Sequence, residues 1–474
     1  VTRSSIAALV LLLLATVATL VAPSRVGLGS DSVKFTVWGM PFEDRLFRDR
    51  YASGWERESG AVVEYGRFAD VETKYNAWHT QGRGPDVMRM EVTWYPGFIE
   101  RGLLEPLDAY IADPKTGLSA ADMAAIPAYL REIIEVDGHI YAIPQDSAQF
   151  GLFYNRTIFD DYNRQHPGSP IPYPDESWTW ETLRDAARKL TVIEDGRQVR
   201  AGFDFAIWAW PFLTLFAQAG GTVWSDDGAT CLLNTQAGVD ALDFLRAMQA
   251  DGSFEPKLVH YTDALGADAL FAQGRTAMMM DGSWRVPMLE GVAPALDFAV
   301  APLPRGKVRA VICGSVFWAI SKHATNKAAG WAMLRWLVRE ENAAAYWDTL
   351  RVAPPADTRV LRSERFRRTS GIPRPDGGFE VPPMDEAKFE ARAAWLLHAV
   401  TPDPATGRTP GFIVTHPRMS ELQKEITIML NEFLKPGSVQ SSGEALDGVV
   451  RAIHGIIDRD RAARGLPRID RSQP

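Results

Sequence analysis

Hydrophobic and polar positions follow two rhythms along this chain, and the rhythms change places repeatedly. Val33, Phe35 and Val37 alternate with polar neighbours, which predicts a strand ending at Trp38-Gly39. Phe47, Tyr51 and Trp55 follow at four-residue spacing, the apolar stripe of a helix that Gly60 stops. Val62-Val63 and Val87-Met88 predict two more short strands, with a helix around Tyr75 and Trp78 between them. A further helix over 96–101 closes at Gly102. Strands separated by helices of this length predict a mostly parallel sheet covered on both faces.

Asp137-Gly138 is a turn signal, and a second alternating region follows it. Phe150 to Tyr154 reads as a buried strand. Thr179 is placed to cap a helix whose core face is Leu183, Ala186, Ala187 and Leu190, with Glu181 favourably sited in its first turn. Asp226-Asp227-Gly228 marks a turn, and Asn234 is placed to cap a helix with Val239, Leu242, Leu245 and Met248 inward. Val311 to Ile320 reads as one strand before a helix from Lys327 to Trp347, with Trp331, Leu334 and Leu337 inward. Residues 354–410 are rich in Pro, Gly and Arg and irregular; helical pattern resumes at Arg418 and ends in a polar tail after Gly465. There is no internal repeat.

At 474 residues the chain is too long for one typical domain. A net charge of -8 removes the basic footprint of a nucleic-acid binder and makes anionic membrane surfaces poor partners. Arg3 precedes an uncharged apolar run from Ile6 to Ala22, the arrangement of an export signal. A cleaved signal over 1–29 and a retained N-terminal anchor both remain open. No cysteine lies near this segment, so the reading is of an exported protein without lipid, periplasmic or on the outer face of the cytoplasmic membrane. The two cysteines, Cys231 and Cys313, allow one disulfide at most, and Cys313 sits in an apolar strand-like context where a free thiol behaves as a small hydrophobe.

Nucleotide-binding glycine loops, a Gly-x-Ser-x-Gly elbow and a His-Glu-x-x-His helix are all missing from the sequence, and none of the eight histidines pairs with another at helical spacing. No cofactor or metal is expected. Aromatics are abundant, with 15 Trp, and Trp38, Trp94, Trp208, Trp210 and Trp284 fall at junctions between elements. A tryptophan face stacks on the C–H face of a sugar ring while neighbouring carboxylates and amides bind its hydroxyls. Trp55, Trp78, Trp331 and Trp336 lie on helical patterns and read as packing.

Several blocks then occur in a familiar order. They are Gly-Arg-Gly-Pro-Asp-Val (82–87), Gly-Leu-Leu-Glu-Pro-Leu-Asp (102–108), Tyr-Ala-Ile-Pro (141–144) with Leu-Phe-Tyr-Asn (152–155), and Trp-Thr-Trp-Glu-Thr-Leu (178–183) with Ala-Arg-Lys-Leu-Thr (187–191). Phe-Ala-Gln-Gly-Arg-Thr-Ala-Met (271–278) with Asp-Gly-Ser-Trp (281–284), Ala-Pro-Leu-Pro (301–304) and Gly-Ser-Val-Phe-Trp-Ala-Ile-Ser-Lys (314–322) complete the set. In this the chain resembles the family 1 extracellular solute-binding proteins of bacterial ABC importers, the maltose-binding-protein-like group. The resemblance implies an α/β fold of the two-lobed periplasmic-binding-protein kind (class II type), with a hinge and an interlobe cleft. It implies an N-terminal lobe of 30–145 plus 313–350 and a C-terminal lobe of 146–312 plus 351–474.

Carried over position by position, the resemblance lines the cleft with Glu43, Asp44, Glu91, Trp94, Asp146, Gln149, Trp208, Trp210, Asp281, Trp284, Gly314 and Ser315. Packing competes with ligand contact for Gly314, a helix N-terminal charge for Asp44, and turn chemistry for Asp281. Many relatives carry an N-terminal cysteine for lipidation that this chain lacks, and the 354–410 segment is longer than the family needs. The implied role is a monomeric carbohydrate-binding subunit that delivers its ligand to membrane permease subunits of an ABC importer. Two alternatives stand beside it. One is a binding protein for a glycerophosphodiester or polyamine, in which Arg67, Arg89 or Arg285 meets a phosphate. The other is a glycan-cleaving enzyme pairing Asp44 or Glu91 with Asp281.

Overall fold

The computed structural model describes residues 32–254, 267–374, 377–404, 406–469 and 471. The apolar run of 6–22 lies outside them. No helix among the described residues is long and apolar enough to cross a membrane.

Two sheets organise the chain. The first contains β1 (Ser32–Val37), β2 (Val62–Arg67), β3 (Val87–Glu91), β4 (Ala142–Pro144) and, from much later in sequence, β11 (Val316–Ala319), in the order β2-β1-β3-β11-β4. β1 runs parallel to β2 and β3, whereas β11 is antiparallel to both of its neighbours. The second sheet is built on β5 (Ala148–Asn155), β7 (Arg197–Phe205) and β8 (Thr276–Gly282). The short strands β6 (Val192–Glu194), β9 (Phe298–Ala301), β10 (Val311–Gly314) and β12 (Gly411–Phe412) extend it. Here β8 is parallel to β7 but antiparallel to β5, so both sheets are mixed rather than mostly parallel. The reason is topological. β5 and β11 enter their sheets from the other sheet, not through a helical crossover, and nothing forces them into the common direction.

Periodicity located the helices well where one face is buried. Helix Trp180–Leu190 buries Leu183, Ala186, Ala187 and Leu190. Its cap is a reciprocal one: Thr179 accepts from the Thr182 amide at 3.3 Å, and the Thr182 hydroxyl accepts from the Thr179 amide at 2.7 Å. The helix Gln236–Ala250 starts one residue later than the sequence suggested, with Thr235 at the cap, while Asn234 bonds instead to Asp447 at 2.8 Å. The helical stretch read as Lys327–Trp347 is two helices, Lys327–Leu337 and Glu340–Leu350. The stripe of Phe47, Tyr51 and Trp55 spans a π-helical segment, Leu46–Ala52, and the α-helix Ser53–Ser59, which Gly60 ends at φ 75°.

The irregular stretch after Pro354 is also ordered. Helices Thr358–Leu361, Glu364–Arg367 and Glu386–Arg392 carry Val360, Phe366 and Phe389 inward, and Trp347, Phe366, Phe389 and Trp395 share a second hydrophobic core with Phe153 and Phe298. Both cysteines are buried free thiols.

Candidate ligand-binding site

The chain passes between the two sheets at three places, and all three are bonded together. The first passage is Gln145-Asp146-Ser147, between β4 and β5. The second is Ser315, between β10 and β11, so the run read as a single strand from Val311 to Ile320 belongs to two sheets. The third, the return from β11 to β12, falls within residues 320–410, and Pro354-Pro355-Ala356 of that stretch is bonded to the first passage. Asp146 ties them: its carbonyl accepts from the Ser315 hydroxyl at 2.6 Å, its Oδ1 from the Val316 amide at 3.2 Å, and it bridges to Pro355. Ser147 donates its amide to Pro354 at 2.8 Å, and Ala356 donates to Gln145 at 3.1 Å.

Beside this junction lies a fully buried arginine. Arg89, on β3, donates Nη1 to the Trp38 carbonyl at 2.7 Å, Nε to Gln145 at 3.1 Å and Nη2 to the Tyr346 hydroxyl at 3.1 Å. Glu43 lies 3.2 Å and Asp146 3.9 Å from its guanidinium. The rings of Phe47 and Trp38 lie 4.7 and 4.9 Å from its central carbon. Burial pushes the Asp146 carboxyl up to about 7 against the opposing pull of Arg89.

The loops at the C-terminal ends of parallel strands are where open α/β sheets present ligands. On the first sheet these are Trp38–Asp44 after β1 and Thr93-Trp94 after β3. Asp44 is partly exposed and bonded to Arg48 at 2.9 Å, to Arg67 at 3.3 Å and to the Tyr65 hydroxyl at 2.7 Å. Glu91 ends β3 opposite Val316. Burial pushes its carboxyl up to about 7, while a 2.8 Å bond from the Thr93 hydroxyl works in the other direction.

On the second sheet the corresponding edge is aromatic. Trp208 and Trp210 follow β7, Trp284 follows β8, and Phe150 stands near the start of β5. Phe150 lies 5.8 Å from Trp208, 6.3 Å from Trp210 and 5.4 Å from Trp284, and Trp208 stacks on Trp210 at 5.9 Å. Two glycines make room. A Cβ on Gly314 would lie 3.1 Å from the Trp210 ring, and one on Gly282 would lie 2.1 Å from the Trp284 ring. Gly314 is separated by one residue from Val316, the partner of Glu91, so the end of β3 and the aromatic edge converge on the second passage. The indole N–H of Trp210 is buried with no hydrogen-bond partner among the described residues.

The twelve residues of the sequence reading thus fall into four settings: the aromatic edge, the strand ends, the passages and the buried interior. Trp208, Trp210, Trp284 and Gly314 form the aromatic edge, and Asp44 and Glu91 stand at strand ends of the first sheet. Asp146 and Ser315 are bonded to each other at the passages. Gln149 is buried there too, its carbonyl accepting from Ser283 at 2.8 Å. Glu43 turns inward, accepting from Tyr346 at 2.7 Å and from the Met40 amide at 2.5 Å. Asp281 is buried and bonded to Arg285 at 2.8 Å and to the Gly282 amide at 2.7 Å. Trp94 is buried against Tyr75 and Phe98. Arg89, read from sequence only as a candidate phosphate contact, and Tyr346, not singled out there, complete the junction; a charged residue inside the apolar run Val-Met-Arg-Met was the signal for a buried role of the first. A cavity of about 1120 Å³, lined by Thr222, Trp224, Arg305, Arg309, Arg408 and Phe412, contains none of the twelve. No group of three or more His, Cys, Asp or Glu among the described residues is arranged to hold a metal ion.

The sequence profile of the bacterial extracellular solute-binding proteins matches residues 45–344. The chain belongs to that family. Among curated relatives of this solute-binding protein, it is 27% identical over 282 residues to a maltotriose-binding protein of Pyrococcus abyssi, covering 56% of this chain and 53% of that one. A galactooligosaccharide-binding protein of Bacillus subtilis is 22% identical over 303 residues, covering 60% of this chain and 65% of that one. The alignments therefore span between about half and two thirds of the curated relatives' length.

Solved structures match over more of this binding protein. An ABC substrate-binding protein from Listeria monocytogenes in complex with cycloalternan superposes with a TM-score of 0.71 at 18% identity, covering 92% of this chain and 99% of the other. The Thermus thermophilus maltotriose-binding protein bound with maltotriose gives 0.65 at 18% identity, covering 90% and 100%. The fold is accordingly the two-lobed α/β fold of these binding proteins.

Proposed function

We propose that this protein is the extracytoplasmic substrate-binding subunit of a carbohydrate ABC importer, holding an oligosaccharide between its lobes and delivering it to the permease. The observation that carries the reading is the four-ring aromatic edge of Phe150, Trp208, Trp210 and Trp284, which ends beside the passages between the sheets. Stacked indoles on a glycine floor offer sugar rings a flat apolar surface, and Asp44 and Glu91 offer hydroxyl partners from the other sheet. In this reading the N-terminal lobe is 30–145 with 313–350, the C-terminal lobe is 146–312 with 351–474, and the three passages are the hinge. Ligand bridging both lobes stabilises the closed arrangement, which the permease distinguishes from the open one. The protein acts as a monomer on the outer face of the cytoplasmic membrane or in the periplasm.

A phosphodiester ligand would want an uncommitted cation, and the three arginines proposed for it are engaged. Arg89 is buried in its own network, Arg285 is bonded to Asp281 and Asp268, and Arg67 is bonded to Asp44 and the Gly39 carbonyl. That favours the neutral sugar.

The test is calorimetric titration with maltotriose, a galactooligosaccharide, tagatose and glycerophosphocholine, repeated on Trp208→Ala and Trp284→Ala. The expected result is saturable binding of one of the sugars, weakened at least tenfold by either substitution. Binding of the phosphodiester alone, or sugar binding untouched by both substitutions, would overturn the proposal.

A further inference from the structure

The helix Glu340–Leu350 ends on Arg351 with φ 53°, a left-handed conformation that glycine adopts freely and arginine does not. The side chain held there is 1% exposed. Its Nη2 donates to the Glu290 carboxylate and, at 2.5 Å, to the Pro382 carbonyl. Its Nε and Nη1 are buried and have no partner among the described residues. Glu290 is equally buried, and its second oxygen accepts from Arg392. Two guanidinium groups therefore share one carboxylate whose oxygens are both engaged.

The surrounding polar groups do not redress this. Asp281 and Asp268 are bonded to Arg285. The indole N–H groups of Trp347 and Trp395 donate to the carbonyls of Phe366 and Arg392. Next to Arg351 is a cavity of about 10 Å³ whose wall includes Ser283, Trp347, Met384, Arg392 and Trp395. That is room for a single atom-sized guest.

We infer that this cavity is a buried site for one monatomic anion, chloride in ordinary media, bound by Nε and Nη1 of Arg351. A buried charge is stable when it is paired and hydrogen-bonded. Water would accept from the orphaned donors but leave the excess positive charge; an anion answers both needs, and the volume excludes phosphate or a carboxylate. The site abuts the hinge on one side and the aromatic edge on the other, since the Ser283 hydroxyl in its wall donates to the Val352 carbonyl at 2.7 Å and Ser283 precedes Trp284.

The deciding experiment is diffraction at the bromine absorption edge from crystals of the full chain grown in sodium bromide. An anomalous peak within hydrogen-bond reach of Arg351 Nε and Nη1 is expected. In solution, Tm should rise by about 2 °C in sodium chloride over sodium gluconate of equal ionic strength. Arg392→Gln leaves Arg351 and Glu290 as a neutral pair, so this variant should lose both the peak and the chloride dependence while remaining folded. A bromide crystal with a peak of water height and no anomalous signal at Arg351 would overturn the inference. So would an anomalous peak that persists undiminished in Arg392→Gln.

Discussion

The indole of Trp210 rests against the backbone of Gly314, close enough that a methyl group on that glycine would stand 3.1 Å from the ring. Since Gly314 is the last residue of β10 before the chain changes sheets, one aromatic ring is packed directly against the second passage. Gly314→Val must displace Trp210 and, through it, the stack with Trp208 and Phe150. Sugar affinity should fall at least tenfold with an unfolding midpoint changed far less than the binding, as read by calorimetry and urea denaturation on the same preparation. A variant with wild-type affinity would show that the ring does not need its glycine floor.

Arg89 is the cation on which Glu43 and Asp146 both depend. Arg89→Met keeps the volume and removes the charge, leaving two buried carboxylates without it. Breaking a buried pair in this way costs about 3–5 kcal/mol, and urea unfolding should register a loss of that size. A loss below about 1 kcal/mol, the range of an exposed ion pair, would mean that the network is incidental to stability.

Glu91 supplies a pH dependence whose direction is opposite to that of a salt-bridged acid. Its folded pKa of about 7 lies above the ordinary glutamate value of about 4.3, so the native state keeps a proton that the unfolded chain releases first. The contribution is therefore complete below the ordinary value and declines as pH rises through 7, by about 4 kcal/mol over the whole window. Asp146 acts in the same sense, which is why the measurement is a difference: Glu91→Gln should flatten the stability profile between about pH 4.3 and about pH 7 relative to wild type. Parallel profiles would refute the assignment.

Cys231 and Cys313 are buried, and burial pushes their thiols up to about 11 and about 12. The native protein should therefore be inert to a thiol reagent at pH 8 and show two reactive thiols once unfolded without reductant. Fewer than two would reveal a disulfide.

Much of this was written in the sequence as periodicity. Leu183, Ala186, Ala187 and Leu190 declare a helix because their burial is one-sided, and Trp208, Trp210 and Trp284 stand out because large aromatics at element ends have no obvious core to enter. Ser315 could not be recognised as a passage in the same way. The backbone remains strand-like on both sides of it, and the change of sheet is a long-range event with no local signature. Val338-Arg339, where the supposed helix over 327–347 divides, has neither Gly nor Pro to mark the break. Sequence shows the charges of Glu43 and Asp281 but not the arginines that folding brings to them, Arg89 from β3 and Arg285 from the start of the helix that follows β8.

The strand order β2-β1-β3-β11-β4 has a bearing on how the chain acquires its shape. β3 and β4 are separated by a slot that only residues 316–319 fill, and those residues are made after the whole of β5 to β10. Without residues 316–319, β3 and β4 lack the strand that pairs with both of them. Contacts so distant in sequence are slow to form. The first sheet can therefore be completed only once residues 316–319 have been made, and a ribosome-bound fragment ending before residue 316 should remain protease-sensitive over residues 32–144.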